Sequence, residues 1–351
     1  MASVINEVIR EDLETITAAV TSDIHKIVNS QVVLTGASGF IGTWLTLSFL
    51  HARRELGGTG QIFLNCRNSA PLQKILVEAE FDEGYEIVEA DVRDFPEGVI
   101  QDGTLLIHAA TPARASLNSG NPLEMFDIIV EGQKRLLYLA AQKSSVRFLF
   151  LSSGAVYGSQ PLGLSGIPET WIGAPDVMNP SNAYHEGKRA AELLGNVYTA
   201  SSTLEFVSAR LFAFLAPFLP LEEHFAAGNF LVNALDNSDI KINSGGGSVR
   251  SYMYSTDMCA DLWTLLIKGK NNEAYNVGSQ NEICLRDLAG KIRDIVNPKS
   301  QVMIQGVDTE ENVSRYVPDT KKIQLLHSRQ TSHTLDDAIR RTSKWAMSSL
   351  L

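Results

Sequence analysis

Residues 32–42 read VVLTGASGFIG, an apolar run that ends in three glycines, Gly36, Gly39 and Gly42, spaced three apart. A β-branched stretch followed at once by glycines predicts a buried strand that opens onto a helix through a tight turn. Glycine suits that turn because the backbone can fold sharply and come close to a pyrophosphate, whose charge then meets the free N–H groups at the helix N-terminus. The pattern is GxxGxxG rather than GxGxxG, and its force comes from its place directly after a first strand. Ser38, Phe40 and Ile41 fall between the glycines and complete the candidate dinucleotide loop.

Outward from that loop, short β-rich runs alternate with helical stretches. Strands are predicted at 31–36, 61–66, 85–91, 104–110, 147–153 and 205–212, and helices from the loop to about 55, at 122–142 and at 183–200. Such alternation predicts βαβ units and a parallel sheet wound on both faces. Past Pro217 the rhythm loosens, with SGGGS at 244–248 as a turn and a helix at 285–296. The expectation is therefore α/β: a Rossmann-type doubly wound sheet over 31–216 and a smaller C-terminal α+β substrate lobe over most of 217–351. A segment near 250–277 is expected to return to the first body. Before the sheet, Ile5, Val8, Ile9, Leu13, Ile16, Val20, Ile24 and Ile27 recur at three- and four-residue steps. That stripe predicts an amphipathic helical extension over residues 1–30, packed on the body or on a partner subunit.

Composition removes several function classes. The chain has 351 residues, 44 % hydrophobic and 20 % charged, which suits a folded globular protein. Its net charge of −10 and the lack of any Lys/Arg run argue against a nucleic-acid surface. Three scattered cysteines, Cys66, Cys259 and Cys284, are too few for a disulfide framework or a zinc site, so no metal is expected. The apolar run at 211–221 is broken by Pro217 and Pro220 and falls short of the roughly 18 residues of a membrane span. No secretion signal is visible, and a cytoplasmic location is expected.

The chemistry gathers at strand ends. The second strand ends in Asn65, Cys66 and Arg67, with no Asp or Glu to take a ribose 2′-hydroxyl. An arginine there can pair with a 2′-phosphate, which leans the cofactor towards NADP and leaves NAD open. In AYHEGKRAAEL at 183–193, Tyr184 and Lys188 stand one helical turn apart on one face. A phenol with a pKa near ~10 is a poor acid–base at neutral pH, and a neighbouring ammonium is expected to lower it. Ser153 lies 31 residues before Tyr184, at the end of its strand. Its hydroxyl can hold a substrate oxygen while the tyrosine passes a proton and a nicotinamide passes a hydride. It acts as a donor and needs no base beside it.

TGASGFIG, EADVRD, HAATPA, LSSGAVYG, YHEGK, RLFAFLAP, GGGSVRSYMYSTDM and EAYNVGS, in this order, resemble the extended short-chain dehydrogenase/reductase family in its nucleotide-sugar epimerase/dehydratase/decarboxylase branch. The likeness runs over about 31–327. It implies Ser153, Tyr184 and Lys188 as the catalytic set, the glycines of 36–42 on the pyrophosphate, Asp91 and Val92 near the adenine, and Ala109 and Ala110 along the cleft. It further implies Asn229, Arg250 and Arg315 on a sugar-nucleotide diphosphate, and His224 can touch substrate. Relatives pair through two helices, here about 122–142 and 183–200, so a homodimer with a four-helix interface is implied; Leu136, Leu137, Leu193 and Leu194 suit that interface or plain core packing.

The departures from the family pattern narrow the chemistry. The family's 4,6-dehydratases carry an Asp-Glu pair directly after the serine or threonine, and its decarboxylases a glutamate at the second place. Gly154 and Ala155 stand there in this chain. YHEGKR and HAATPA nonetheless look closest to the decarboxylase-like subgroup, and Ala213 and Ala216 replace the usual asparagine and glycine of the RxFNxxGP segment. With the extra acids gone, hydride transfer at sugar C4 remains, as a 4-epimerase or a 4-ketoreductase of a nucleotide-linked hexose. Decarboxylation and dehydration are disfavoured. A dinucleotide-binding regulator without catalysis is the reading from another class.

Overall fold

The computed structural model describes residues 5–111, 120–221, 225–309 and 312–350. Its centre is a seven-stranded sheet built from β1 (Gln31–Thr35), β2 (Gln61–Cys66), β3 (Tyr85–Glu89), β4 (Thr104–His108), β5 (Val146–Ser153), β6 (Glu205–Leu211) and a late strand, Glu273–Val277. The order runs from that late strand through β6, β5, β4, β1 and β2 to β3, and every pairing is parallel. The order reverses between β1 and β4, so a crevice opens at their C-terminal ends, where open α/β sheets bind ligands. Gly36, Arg67, His108 and Ser153 all follow or end strands on that one edge.

Helices cover both faces because central parallel strands are apolar on both sides. β4 is buried at all five positions. One face carries α1 (Glu7–Ala19), α2 (Thr21–Ile27) and α3 (Phe40–Leu56), and α4 (Ala70–Glu78) packs near the β2–β3 edge. The other carries α5 (Pro122–Ala141) and α6 (Ala183–Thr199), which pack on each other and on Phe148, Phe150 and Phe206. α5 starts at Pro122 because proline fits the first helical turn and the Asn121 side chain accepts the Glu124 N–H.

The smaller lobe follows β6. It contains β7 (Ala213–Phe214), α7 (Ala226–Leu235), β8 (Ile240–Ile242) and β9 (Val249–Met253). The chain then returns to the large sheet through α8 (Ser255–Lys268) and β10 (Glu273–Val277), before β11 (Glu282–Cys284), α9 (Leu285–Val296), β12 (Val302–Ile304), β13 (Arg315–Tyr316), α10 (Lys321–Gln324) and α11 (Leu335–Leu350). The return starts at Ser255, since β9 belongs to the small sheet with β7, β11 and β13.

All eight apolar residues of the N-terminal stripe are buried, from Ile5 at 5 % exposure to Ile27 at 0 %. The extension lies on α3 and α8, within the same core as the sheet. It is two helices rather than one, because Val20 leaves helical geometry at φ −119° and ψ 22°. No helix among the described residues is long and apolar enough to cross a membrane.

Candidate active site

The glycine loop is shaped for an anion. Gly36 sits at φ +71°, and a Cβ there would fall 2.6 Å from the Ala109 carbonyl oxygen. A Cβ on Gly42 would fall 2.1 Å from the carbonyl oxygen of Gly36. Any larger residue would push the loop, the helix and the β4 end apart, which is the close approach the sequence demanded. Gly39 caps α3 without a side-chain hydrogen bond, so first-turn N–H groups stay free for a phosphate. Ser38 and Gly39 are exposed, while Phe40, Ile41, Ala109 and Ala110 are half-buried along the crevice. These residues fit a dinucleotide pyrophosphate.

At the far end, Asn65 is committed: its Nδ2 donates to the carbonyls of Val88 (3.0 Å) and Ala90 (2.9 Å). Arg67 is exposed at the end of β2, where its charge is felt by Asp91. Asp91 accepts from the Arg93 backbone at 2.9 Å and from its guanidinium at 2.9 and 3.0 Å, which holds the carboxyl below the usual range. The Val92 side chain turns inward onto Gly132 and is 4 % exposed, leaving its backbone for any ligand.

Ser153, Tyr184 and Lys188 come together at the end of β5. Ser153 Oγ accepts the Ala155 N–H at 3.1 Å, which caps the short turn Gly154–Tyr157 and fixes the hydroxyl. Tyr184 hydrogen-bonds Ser153. Lys188 Nζ donates to Thr111 Oγ1 (2.9 Å) and to the Leu151 carbonyl (2.6 Å), and stands 4.7 Å over the Phe150 ring and 5.9 Å from the Tyr184 ring.

One electrostatic expectation is corrected. The lysine was expected to lower the phenol's pKa, yet burial raises that of Tyr184, and only the Ser153 hydroxyl pulls it back. The reason is that Lys188 is itself desolvated. Its pKa is pushed down to about 7, with Glu192 pulling the other way. An ammonium that is so costly to charge, with protons spent on Thr111 and Leu151, gives the free protein's phenol little help.

His108 is held as a strand-end residue. His108 is buried, its Nδ1 is 2.7 Å from Thr35 Oγ1, and burial pushes its pKa to about 3. It is neutral at any working pH and serves as a strand-end prop. Burial also lowers His51 and His185. His224 lies outside the described residues.

On the sugar side, the two arginines expected to share a diphosphate do not converge. In the small sheet Arg250 pairs with Tyr316 and Arg315 with Val249, so the arginines occupy opposite faces. Arg315 donates to the Ser165 carbonyl at 3.1 and 2.7 Å and forms an ion pair with Glu282. Arg250 is half-buried, bonds the Val249 and Ser314 carbonyls at 2.8 and 3.1 Å, and shares its face with Tyr252 and Tyr316. Asn229 is exposed on α7.

Three site residues escaped the sequence reading. Thr111 Oγ1 accepts a hydrogen bond from Lys188 Nζ at 2.9 Å. Glu192, one turn beyond Lys188, receives Arg210 at 2.7 Å and the Ser152 hydroxyl at 2.6 Å, anchoring the strand beneath the serine. Tyr316 stands 3.5 Å from Ser153 Oγ. The i,i+4 spacing of Lys188 and Glu192 was a readable signal; Tyr316 gave none, since its neighbours come from β5 and β6.

Comparison with known proteins agrees with this architecture. A UDP-glucose 4-epimerase from Thermotoga maritima superposes with a TM-score of 0.75 at 19 % identity, covering 92 % of this chain and 100 % of that one. A dTDP-glucose 4,6-dehydratase from Streptomyces venezuelae, solved with NAD, gives 0.75 at 22 % identity, covering 90 % and 97 %. Among curated relatives, UDP-glucuronic acid decarboxylase 4 of Arabidopsis thaliana is 26 % identical over 297 residues, 84 % of this chain. The chain spans 64 % of that relative's length. UDP-glucuronic acid decarboxylase 1 of Xenopus tropicalis is 23 % identical over 312 residues, 89 % of this chain and 71 % of the relative. The family model matches residues 32–278, from the first strand of the glycine loop to the end of the late strand that closes the sheet, and on that match the chain belongs to the NAD-dependent epimerase/dehydratase family.

Proposed function

We propose that the chain catalyses hydride transfer at C4 of a nucleotide-linked hexose, as a 4-epimerase or a 4-ketoreductase. The carrying observation is the composition of the β5 end: Ser153 and Tyr184 hydrogen-bonded, Lys188 beneath them, and Gly154 and Ala155 after the serine with no ionisable side chain. Bound NAD(P) supplies the hydride acceptor and donor. The chain's own residues hold the sugar hydroxyl on Ser153 and move its proton through Tyr184 Oη, while Lys188 would hold a ribose hydroxyl of the dinucleotide. Arg67, alone at the end of β2, suits a 2′-phosphate and supports NADP. Arg250 is the cation that faces the site from the small lobe and would meet the substrate's diphosphate.

A second reading, decarboxylation of a nucleotide-linked uronic acid, has the curated relatives' names in its favour. It begins with the same oxidation at C4 and differs in what leaves afterwards. One experiment separates the readings: the purified protein is given UDP-, dTDP-, GDP- and CDP-hexoses, their 4-keto-6-deoxy forms and UDP-glucuronic acid, with NAD(H) or NADP(H). Inversion at C4 without net cofactor change, or stoichiometric loss of NAD(P)H with a 4-keto sugar, supports the proposal. Release of CO2 identifies the second reading. No reaction and no exchange of the C4 hydrogen with any of them overturns both and leaves a dinucleotide-binding regulator.

The same reading places a second copy of the chain on the α5–α6 face. Leu136 and Leu137 are consumed by the core, but Leu123, Leu193 and Val197 are 68, 64 and 56 % exposed on that face. Beside them runs a groove of about 1010 Å³ lined by Phe126, Trp171 and Ile172 among others. An apolar patch of this kind on two adjacent helices is suited to a self-complementary, two-fold contact. Leu193→Glu is expected to convert a dimer into a monomer in light scattering; an unchanged mass, or a monomeric parent, would remove the dimer from the account.

A further inference from the structure

Among the described residues, the small lobe brings a second phenol, Tyr316, up to Ser153. Tyr316 Oη donates its proton to the Leu211 carbonyl at 3.1 Å, and its ring lies on Phe212 with centroids 4.5 Å apart. A carbonyl can only accept, so the phenol's single proton is committed and its oxygen faces Ser153 Oγ, 3.5 Å away, as an acceptor. A Cβ built on Gly154 would lie 2.7 Å from that oxygen and 2.7 Å from Phe212 Cζ. The space that a side chain after the serine would need is therefore taken by Tyr316 and Phe212.

We propose that Tyr316 is a positioning residue for the hydride-transfer reaction, one that directs the Ser153 proton and keeps the place beside Ser153 free of any third acid or base. This rests on the function proposed above. The hydrogen-bond accounting gives the mechanism. Ser153 has one proton and two phenol neighbours, and its oxygen already accepts from the Ala155 N–H. With Tyr316 available as acceptor, the serine proton points to Tyr316, and the remaining serine lone pair takes the Tyr184 proton. The chain then runs Tyr184 to Ser153 to Tyr316 to the Leu211 carbonyl. For Tyr184 to ionise, the serine proton has to swing away from Tyr316 and towards the new phenolate. Tyr316 thus competes with Tyr184 for one proton and helps hold Tyr184 as a phenol until a substrate hydroxyl enters. Burial reinforces this, since it raises the pKa of Tyr316 as well and keeps its oxygen neutral.

The test is Tyr316→Phe, which keeps the ring on Phe212 and removes only the hydroxyl. The Tyr184 titration is read from tyrosinate absorbance in the substrate-free protein, as the difference between each background with Tyr184 and the same background carrying Tyr184→Phe. Freed from its rival, the serine proton serves the phenolate, and the Tyr184 curve is expected to move down by about one pH unit, the worth of one hydrogen bond. A merely structural tyrosine would leave that curve in place, and an unmoved curve overturns the proposal. Because the readout needs no substrate, it stands apart from the sugar-nucleotide assay. If that assay fails while the curve moves, the proton network is real and the reaction assignment is wrong. Where a C4 reaction is found, the pH profile of sugar oxidation should move down by the same amount, with the cofactor KM unchanged. Should the Phe variant misfold, Tyr316→Met removes the same hydroxyl and is read the same way.

Discussion

Tyr184→Phe is expected to lower kcat by about 10²- to 10⁴-fold, the usual contribution of a positioned proton-transfer group, while the dinucleotide binds as before. Tyr184 hydrogen-bonds Ser153 and its ring lies 5.9 Å from Lys188 Nζ, and the groups described beside it are committed elsewhere. Lys188 spends two of its three protons on Thr111 and the Leu151 carbonyl, and His108 is neutral and bonded to Thr35. The dinucleotide loop is untouched by the substitution, because Gly36, Gly39 and Gly42 hold their geometry through the Ala109 and Gly36 backbone. Isothermal titration with NAD and NADP beside steady-state turnover checks both halves. Retained turnover would move the chemistry away from the end of β5. Lost binding would mean that the variant reports on folding rather than on proton transfer. The direction of the pH dependence follows from burial. Since desolvation raises the Tyr184 pKa, oxidation of a sugar hydroxyl, which needs the phenolate, should gain rate as pH rises through the alkaline range.

How much of this was legible in the sequence depends on how locally each feature is determined. The strands of the large sheet were readable because parallel strands covered on both sides must be apolar runs, and Val32–Leu34, Leu105–Ile107 and Phe148–Leu151 are. The glycine loop was readable because its constraints act between residues three and six apart, plus one contact with the neighbouring strand end. The N-terminal stripe was readable at every position, but its break at Val20 was not. There both Asp23 and Ile24 donate to the Val20 carbonyl, a turn set by how the chain wraps α3 and α8. The two arginines take opposite faces for a reason of parity. β13 is two residues long, and its register on β9 decides which face each side chain takes. Shift that pairing by one residue and Arg315 would face the site in place of Tyr316. The Ser314 carbonyl, accepting the Val249 N–H at 2.8 Å, sets this register together with Gln160 and Ile167, which bridge to Arg315 and Pro318 from a loop over a hundred residues earlier.

Asp12→Ala is expected to cost about 3 kcal/mol of stability, a sizeable share of the roughly 5–15 kcal/mol of an ordinary domain. Asp12 lies on the apolar stripe of α1 and is fully buried. Its Oδ2 accepts from the Tyr254 hydroxyl at 2.6 Å, and its Oδ1 is 2.8 Å from Arg341 Nη2. One carboxylate thus ties the N-terminal extension to the start of α8 and to the C-terminal helix. Removing it leaves a buried phenol with no acceptor and a guanidinium with one counter-charge fewer. The cost sits at the low end for a broken buried pair because Arg341 keeps Glu11 and the Val8 carbonyl, both at 3.0 Å. Burial also raises the Asp12 pKa from 3.8 to about 7, against the pull of Tyr254 and Arg341. Between those values the folded state keeps a proton that the unfolded chain releases, so this group makes stability fall as pH rises across the window. Asp12→Asn retains an acceptor but cannot titrate. Urea unfolding at about pH 4 and about pH 7 should therefore show a smaller loss of stability with rising pH in Asp12→Asn than in the parent. Parallel behaviour of the two proteins would show that the carboxyl is ionised throughout. The extension would then be held by a permanent ion pair, and Asp12→Ala would cost more at neutral pH than at acid pH.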